Sequence, residues 1–265
     1  MSTTIPLAAR AALITGSTSG IGLGIARVLA GHGVRLMLNG FGPAEQIAEL
    51  CQELQAAGSP DVAHHPADLS RPEAVADLVT TTAHRFGSLD ILVNNAGIQH
   101  VAPVESFAAS AWESVLAINL SAVFYTIHQA LPGMKARHHG RIINIASVHG
   151  LVASPYKAAY VAAKHGVVGL TRVVALETAT HGVTCNAICP GWVLTPLVQK
   201  QIDALAEQEE LDPDAARIRL LREKQPSQTF VTPQQVGELV AYLCSPAADA
   251  MTGAALTLDG GWTAQ

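Results

Sequence analysis

The stretch Ala11-Ala12-Leu13-Ile14-Thr15-Gly16-Ser17-Thr18-Ser19-Gly20-Ile21-Gly22 decides how the chain is read. A short apolar run enters a turn with glycines spaced Gly16-x-x-x-Gly20-x-Gly22, and a helical pattern follows over residues 20–33. Strand, glycine turn and helix in that order form the opening of a βα unit. The glycines allow a tight turn, close approach of a phosphate to the backbone, and close helix–strand packing. The helix N-terminus then turns its positive dipole end to the phosphate. The spacing departs from the commoner Gly-x-Gly-x-x-Gly fingerprint. Gly16, Thr18, Ser19, Gly20, Ile21 and Gly22 are the expected phosphate and nucleotide contacts.

Outward from this turn the same alternation repeats. Strands are predicted at 11–15, 35–39, 62–66, 91–94, 141–146, 184–189 and 255–258, and helices at 20–33, 44–57, 72–86, 111–137, 156–181 and 233–243. Most strand runs are apolar without alternation, as in strands buried on both faces. The pattern predicts an α/β fold, a doubly wound parallel sheet of Rossmann-like type, in a single domain over 1–265. Residues 196–225 stand apart. They hold 12 of the 37 charged residues and read as two polar helices split at Asp212-Pro213, a small helical lid over the site.

Composition narrows the function classes. Hydrophobic content of 49% with 14% charged residues excludes a disordered chain, and a net charge of −5 offers no footprint for nucleic acid. The start lacks a basic n-region, its first cation being Arg10, and no run of about 18 apolar residues suggests a membrane span. Cys185 and Cys189 lie on one predicted strand, too far apart to bridge, so a reducing cytoplasm fits. The pairs His64-His65 and His138-His139 lack ligand spacing and read as exposed loop histidines, so no metal is expected.

Tyr160 and Lys164 are four apart on a predicted helix and so share a face. Free tyrosine titrates near ~10, and base work at neutral pH requires stabilising the phenolate by about 4 kcal/mol. The Lys164 ammonium and the charge of an oxidised nicotinamide are the evident sources.

With Thr15–Gly22, the ordered pieces Asn94-Asn95-Ala96-Gly97, Asn119, Ser147, Tyr160-x-x-x-Lys164 and Pro190-Gly191 resemble the short-chain dehydrogenase/reductase family over nearly the whole chain. The resemblance implies an oxidoreductase whose catalytic residues are Asn119, Ser147, Tyr160 and Lys164. Tyr160 would be the general acid/base and Ser147 would hold the reacting oxygen. Lys164 would also hold the nicotinamide ribose, and Asn119 would anchor a relay water. Further cofactor residues implied are Phe41, Asp68, Leu69, Asn95, Ala96, Gly97, Pro190, Gly191, Val193 and Thr195. Asp68 would cap the adenine amino group. Near the end of the second strand, Leu38-Asn39-Gly40-Phe41-Gly42 carries neither the acid of a 2′-hydroxyl site nor the arginine of a 2′-phosphate site, which favours NAD.

Polar residues gather around these motifs. Gln99, His149, Lys157 and Gln201 offer amide, imidazole and ammonium donors suited to a carboxylate beside the reacting carbon, while Trp192 and Trp262 suit an apolar wall. Within the family this combination is similar to the bacterial D-3-hydroxybutyrate dehydrogenase branch. It implies interconversion of (R)-3-hydroxybutyrate and acetoacetate, substrate binding by Gln99, Ser147, His149, Lys157, Tyr160 and Gln201, and a homotetramer. A reductase of another hydroxy acid or a β-ketoacyl group, and a catalytically silent NAD-binding protein, are the alternatives. The first would want NADPH and a basic docking patch, the second a broken tetrad.

Overall fold

The computed structural model describes residues 7–264. Seven strands form one parallel sheet in the order β3-β2-β1-β4-β5-β6-β7. They are β1 (Ala11–Ile14), β2 (Arg35–Asn39), β3 (Val62–His65), β4 (Ile91–Asn94), β5 (Gly140–Ile145), β6 (Val183–Pro190) and β7 (Ala255–Leu258). The helices are α1 (Gly20–Gly31), α2 (Ala44–Ala56), α3 (Pro72–Phe86), α4 (Ala109–Leu116), α5 (Ala122–Ala136), α6 (Ala158–Thr178), α7 (Pro196–Glu209), α8 (Pro213–Lys224) and α9 (Pro233–Cys244).

The unbroken apolar strands are explained by two buried clusters, one on each sheet face. Leu13, Met37, Leu92 and Ile142 pack with α3, α5 and α6, while their neighbours Ile14, Leu36, Val93 and Ile143 pack with α1 and α9. Each strand therefore feeds both layers, as period-two geometry requires. The strand order reverses between β1 and β4, which opens a crevice at their carboxyl ends.

Three sequence expectations need correction. The helix predicted at 111–137 is α4 and α5 joined by a widened π turn at Ala117–Ser121, which places Asn119 inside the bend. The helix predicted from 156 begins at Ala158, because Tyr156 has φ +67 and Lys157 occupies the N-cap with non-helical angles. His64 and His65 are half-buried strand residues, bonded to Gly40 O (2.8 Å) and Asp77 Oδ2 (3.0 Å), rather than exposed loop histidines. Residues Ala109–Ala136 are long and apolar enough, by length and composition, to cross a bilayer. Here that stretch covers the sheet, with α5 packed on β4, β5, α3 and α6.

The charge-rich excursion is the helical pair α7–α8. Thr195 caps α7, Asp212 caps α8 by accepting from two backbone amides, and both helices take proline in the first turn. Val198, Ile202 and Ala216 form a small core of their own with Trp192, Leu205 and Phe230.

Candidate active site

At the crevice the end of β1 is stapled to the end of β4. Thr15 Oγ1 accepts from Asn95 N (2.9 Å) and Ala96 N (3.1 Å), and Asn95 Nδ2 donates to Thr15 O and Gly16 O (2.9 Å each). Gly16 has φ +61, and a Cβ there would lie 2.9 Å from Ala96 Cα. At Gly22 a Cβ would lie 2.3 Å from Gly16 O, so this glycine closes helix onto turn from behind.

These ends line a cavity of about 490 Å³ that runs from Phe41 to Tyr160. Gly16, Thr18, Ser19, Gly20 and Ile21 form its floor, and Asp68, Leu69, Asn95, Ala96, Gly97, Pro190, Gly191 and Thr195 line its sides. Of the expected cofactor residues, Gly22 supports the turn rather than facing the cavity. Val193 is buried in the core, bridged to Val231. Asp68 turns its carboxylate onto Ser70 N (2.9 Å) and Ser70 Oγ (2.8 Å), which hold its pKa below the usual range.

Sequence reading missed the part played by Asn39. Its amide is fully used: Oδ1 accepts from Gly16 N (3.3 Å), and Nδ2 donates to His65 O (3.1 Å) and Ala67 O (3.0 Å). Ser17, also buried, answers it with backbone and hydroxyl bonds. One residue thus ties the glycine turn to β2 and β3. Only its position at the end of β2 hinted at this.

At the other end of the cavity stand Ser147, Tyr160 and Lys164. Ser147 follows the end of β5, two residues past Ile145, and stands beside Tyr160 in the cavity lining. Burial pushes the Tyr160 phenol up, and the Ser147 hydroxyl pulls it down. The Lys164 ammonium donates to Ile145 O (2.8 Å) and lies 5.6 Å from the centre of the Tyr160 ring. Burial lowers its pKa to about 8. Asn119 accepts from Ile98 N (3.2 Å) and donates to Ile98 O and Val115 O (2.9 Å each), pinning the loop after β4 to the π turn. A Cβ on Gly97 would meet Asn119 Oδ1 at 2.5 Å, so that glycine is required for this approach.

Beyond Tyr160 the expected substrate residues form a connected run. His149 meets the Tyr160 ring (5.9 Å) and the Trp262 ring (5.5 Å) edge-on, Trp262 meets Trp192 (5.7 Å), and Lys157 Nζ lies 5.4 Å over Trp192. Trp262 is held by a turn in which buried Asp259 accepts from Gly261 N, Thr263 N and Thr263 Oγ1. Gln225, wholly buried at the end of α8, accepts from Trp192 N (2.8 Å) and ties that helix to Trp192. Gln99 and Gln201 are half-buried, and neither makes a side-chain hydrogen bond among the described residues.

A family model described as enoyl-(acyl carrier protein) reductase matches residues 16–263. The chain belongs to the short-chain dehydrogenase/reductase family. It is 54% identical to a D-beta-hydroxybutyrate dehydrogenase of Cupriavidus necator, over 97% of this chain and 98% of that one. Its identity to the protein of the same name from Rhizobium meliloti is 51%, over 97% and 99%. A crystal structure of an actinorhodin polyketide ketoreductase variant with NADPH superposes with TM-score 0.89 at 38% identity, covering 96% and 97% of the two chains. Family membership makes this an oxidoreductase that uses a nicotinamide dinucleotide.

Proposed function

We propose that the chain interconverts (R)-3-hydroxybutyrate and acetoacetate with NAD. The observation that carries this reading is the run Tyr160–His149–Trp262–Trp192–Lys157. It sets His149 and an apolar wall beside one phenol and carries the Lys157 ammonium over Trp192 at the far end. A short acid with its reacting carbon at Tyr160 would extend its carboxylate toward Lys157, with Gln99 as a further expected donor. Gln201 joins them when the lid 196–225 closes. The two hydroxybutyrate dehydrogenase relatives support the same substrate.

When bound, the oxidised nicotinamide supplies a hydride acceptor and a positive charge. The cavity fits such a group: glycines at positive φ bring backbone close to a pyrophosphate, and the α1 N-terminus faces it. In oxidation Tyr160 takes the hydroxyl proton of the alcohol, and in reduction it returns it. Ser147 hydrogen-bonds the reacting oxygen. Lys164 favours the phenolate from beneath the ring. Asn119 keeps Gly97 and Ile98 in place, and it is the expected water anchor.

The absence of a lining cation at the adenosine end, among the described residues, favours NAD over NADP. Asn39, Gly40, Phe41, Thr18 and Ser19 carry no charge, Asp68 is an acid, and the one cation among the described lining residues, Lys164, stands at the reacting end. A 2′-phosphate would bring up to about two negative charges to a rim without a partner. The four free cysteines suit a reducing cytoplasm. Exposed Phe124 on α5 and Val173 and Leu176 on α6 suit a homotetramer built through the long helices.

The test is NADH formation with (R)- and (S)-3-hydroxybutyrate, repeated with NADP. Turnover of the (R) acid with NAD is expected, and the (S) acid and NADP should be poor. Turnover of neither acid overturns the substrate.

A further inference from the structure

His149 is 4% exposed, and its ring is held on every side. Tyr160 and Trp262 face it edge-on. Nε2 lies 2.9 Å from Ser154 Oγ, and Nδ1 lies 3.3 Å from Ser147 Oγ. Its own backbone N–H donates to the same Ser147 oxygen at 3.1 Å. Burial, with Lys157 nearby, lowers its pKa to about 4, so at neutral pH the ring carries one proton. Where that proton sits decides what Ser147 can do.

A serine hydroxyl has one proton and two lone pairs. If the imidazole proton sits on Nε2, it points to Ser154, and Ser147 gives its own proton to Nδ1. The reacting oxygen then loses a donor. If the proton sits on Nδ1, both lone pairs of Ser147 are filled, one by the His149 backbone and one by the ring. The Ser147 proton then has only the Tyr160 side left, where the phenol and the reacting oxygen lie. Nε2 becomes the acceptor, and Ser154 is its one hydrogen-bond partner among the described residues. Pro155 restricts Ser154 to extended backbone, and Tyr156 follows at φ +67, so this hydroxyl stands on a stiff loop.

The geometry points to Ser154 as a positioning residue that donates to His149 Nε2, fixes the proton on Nδ1, and so turns the Ser147 hydroxyl onto the reacting oxygen. All donors in the chain Ser154→His149→Ser147 then run the same way, an arrangement in which each bond strengthens the next. His149 acts through Ser147 whatever it also contacts. The inference rests on the proposed reaction for its kinetic effect but not for its ring state.

The ring state is read directly by ¹⁵N NMR of histidine-labelled protein without substrate, His149 being assigned by the signal lost in His149→Gln. The wild type is expected to show the proton on Nδ1. Ser154→Ala should move it in part to Nε2 and lower kcat about tenfold in both directions, with KM for NAD unchanged. Ser154→Thr keeps the hydroxyl and should restore both. A wild-type ring protonated on Nε2 overturns the proposal, and so does a Ser154→Ala protein with intact kcat. Should the wild type fail to turn over hydroxybutyrate, the substrate reading fails, while the ring tautomer still decides this one.

Discussion

Tyr160 and Lys164 share a helix face, as their spacing predicts, yet they meet as ring and ammonium, with the ammonium spent on Ile145 O. In the proposed reaction Lys164 would therefore act on the phenol through its field rather than through a bond. Removing only the phenolic oxygen, in Tyr160→Phe, should lower kcat by about 10³. NAD binding, followed by fluorescence titration, should survive; loss of binding instead would place Tyr160 among the structural residues of the crevice. Asn39 carries the opposite lesson. An acid at the end of the second strand is the usual partner of the adenosine ribose. Here Asn39→Asp would aim a buried carboxylate at the carbonyls of His65 and Ala67, which now accept from its amide. A loss of about 3–5 kcal/mol is expected in urea unfolding. An unchanged midpoint would mean the lock is dispensable.

Among the elements, the α7–α8 pair shows how a polar excursion remains ordered. Its own core is small, Val198, Ile202 and Ala216, and its root is Gln225 bonded to Trp192. Gln201 stands on α7, so motion of that helix would carry it and would also repack Trp192, which lies against Val198 and Ile202. Gln201→Ala should raise KM for hydroxybutyrate about tenfold, the worth of one charge-assisted hydrogen bond, and spare KM for NAD. Equal kinetics in variant and wild type would show that α7 is a plain surface helix. The π turn between α4 and α5 is the second such element. It buries Asn119 wholly, against Ile98 and Val115.

For the whole molecule, burial of His149 couples stability to acid. Unfolded, this ring protonates near 6.5, and folded only near 4. Between those values the unfolded chain binds the extra proton, so stability is complete above pH 6.5 and falls as pH drops toward 4. The loss at this one buried ring amounts to about 3 kcal/mol by pH 4. His139, lowered to about 4 by burial and by Arg10, Arg141 and Arg137, adds in the same direction. Urea midpoints at pH 4.5 and 6.5 measure it. His149→Gln should flatten the dependence, and an identical slope would trace acid sensitivity to other groups.

The sequence by itself determined the strand–helix order, the glycine turn, the bounds of the helical pair within 196–225 and the shared helix face of Tyr160 and Lys164. Each of these is written in local periodicity or short spacing: Gly16 to Gly22, Tyr160 to Lys164, Asp212-Pro213. Tertiary structure alone decided what each polar side chain faces. Asn39 reads as a neutral absence of charge until β3 and the glycine turn close around its amide. Lys157 reads as a helix residue until Tyr156 turns the chain at positive φ. Nothing in the sequence shows that His149 has Ser147 and Ser154 at its two nitrogens. Hydrogen bonds between distant segments depend on where the sheet brings its strand ends, and no local pattern records that.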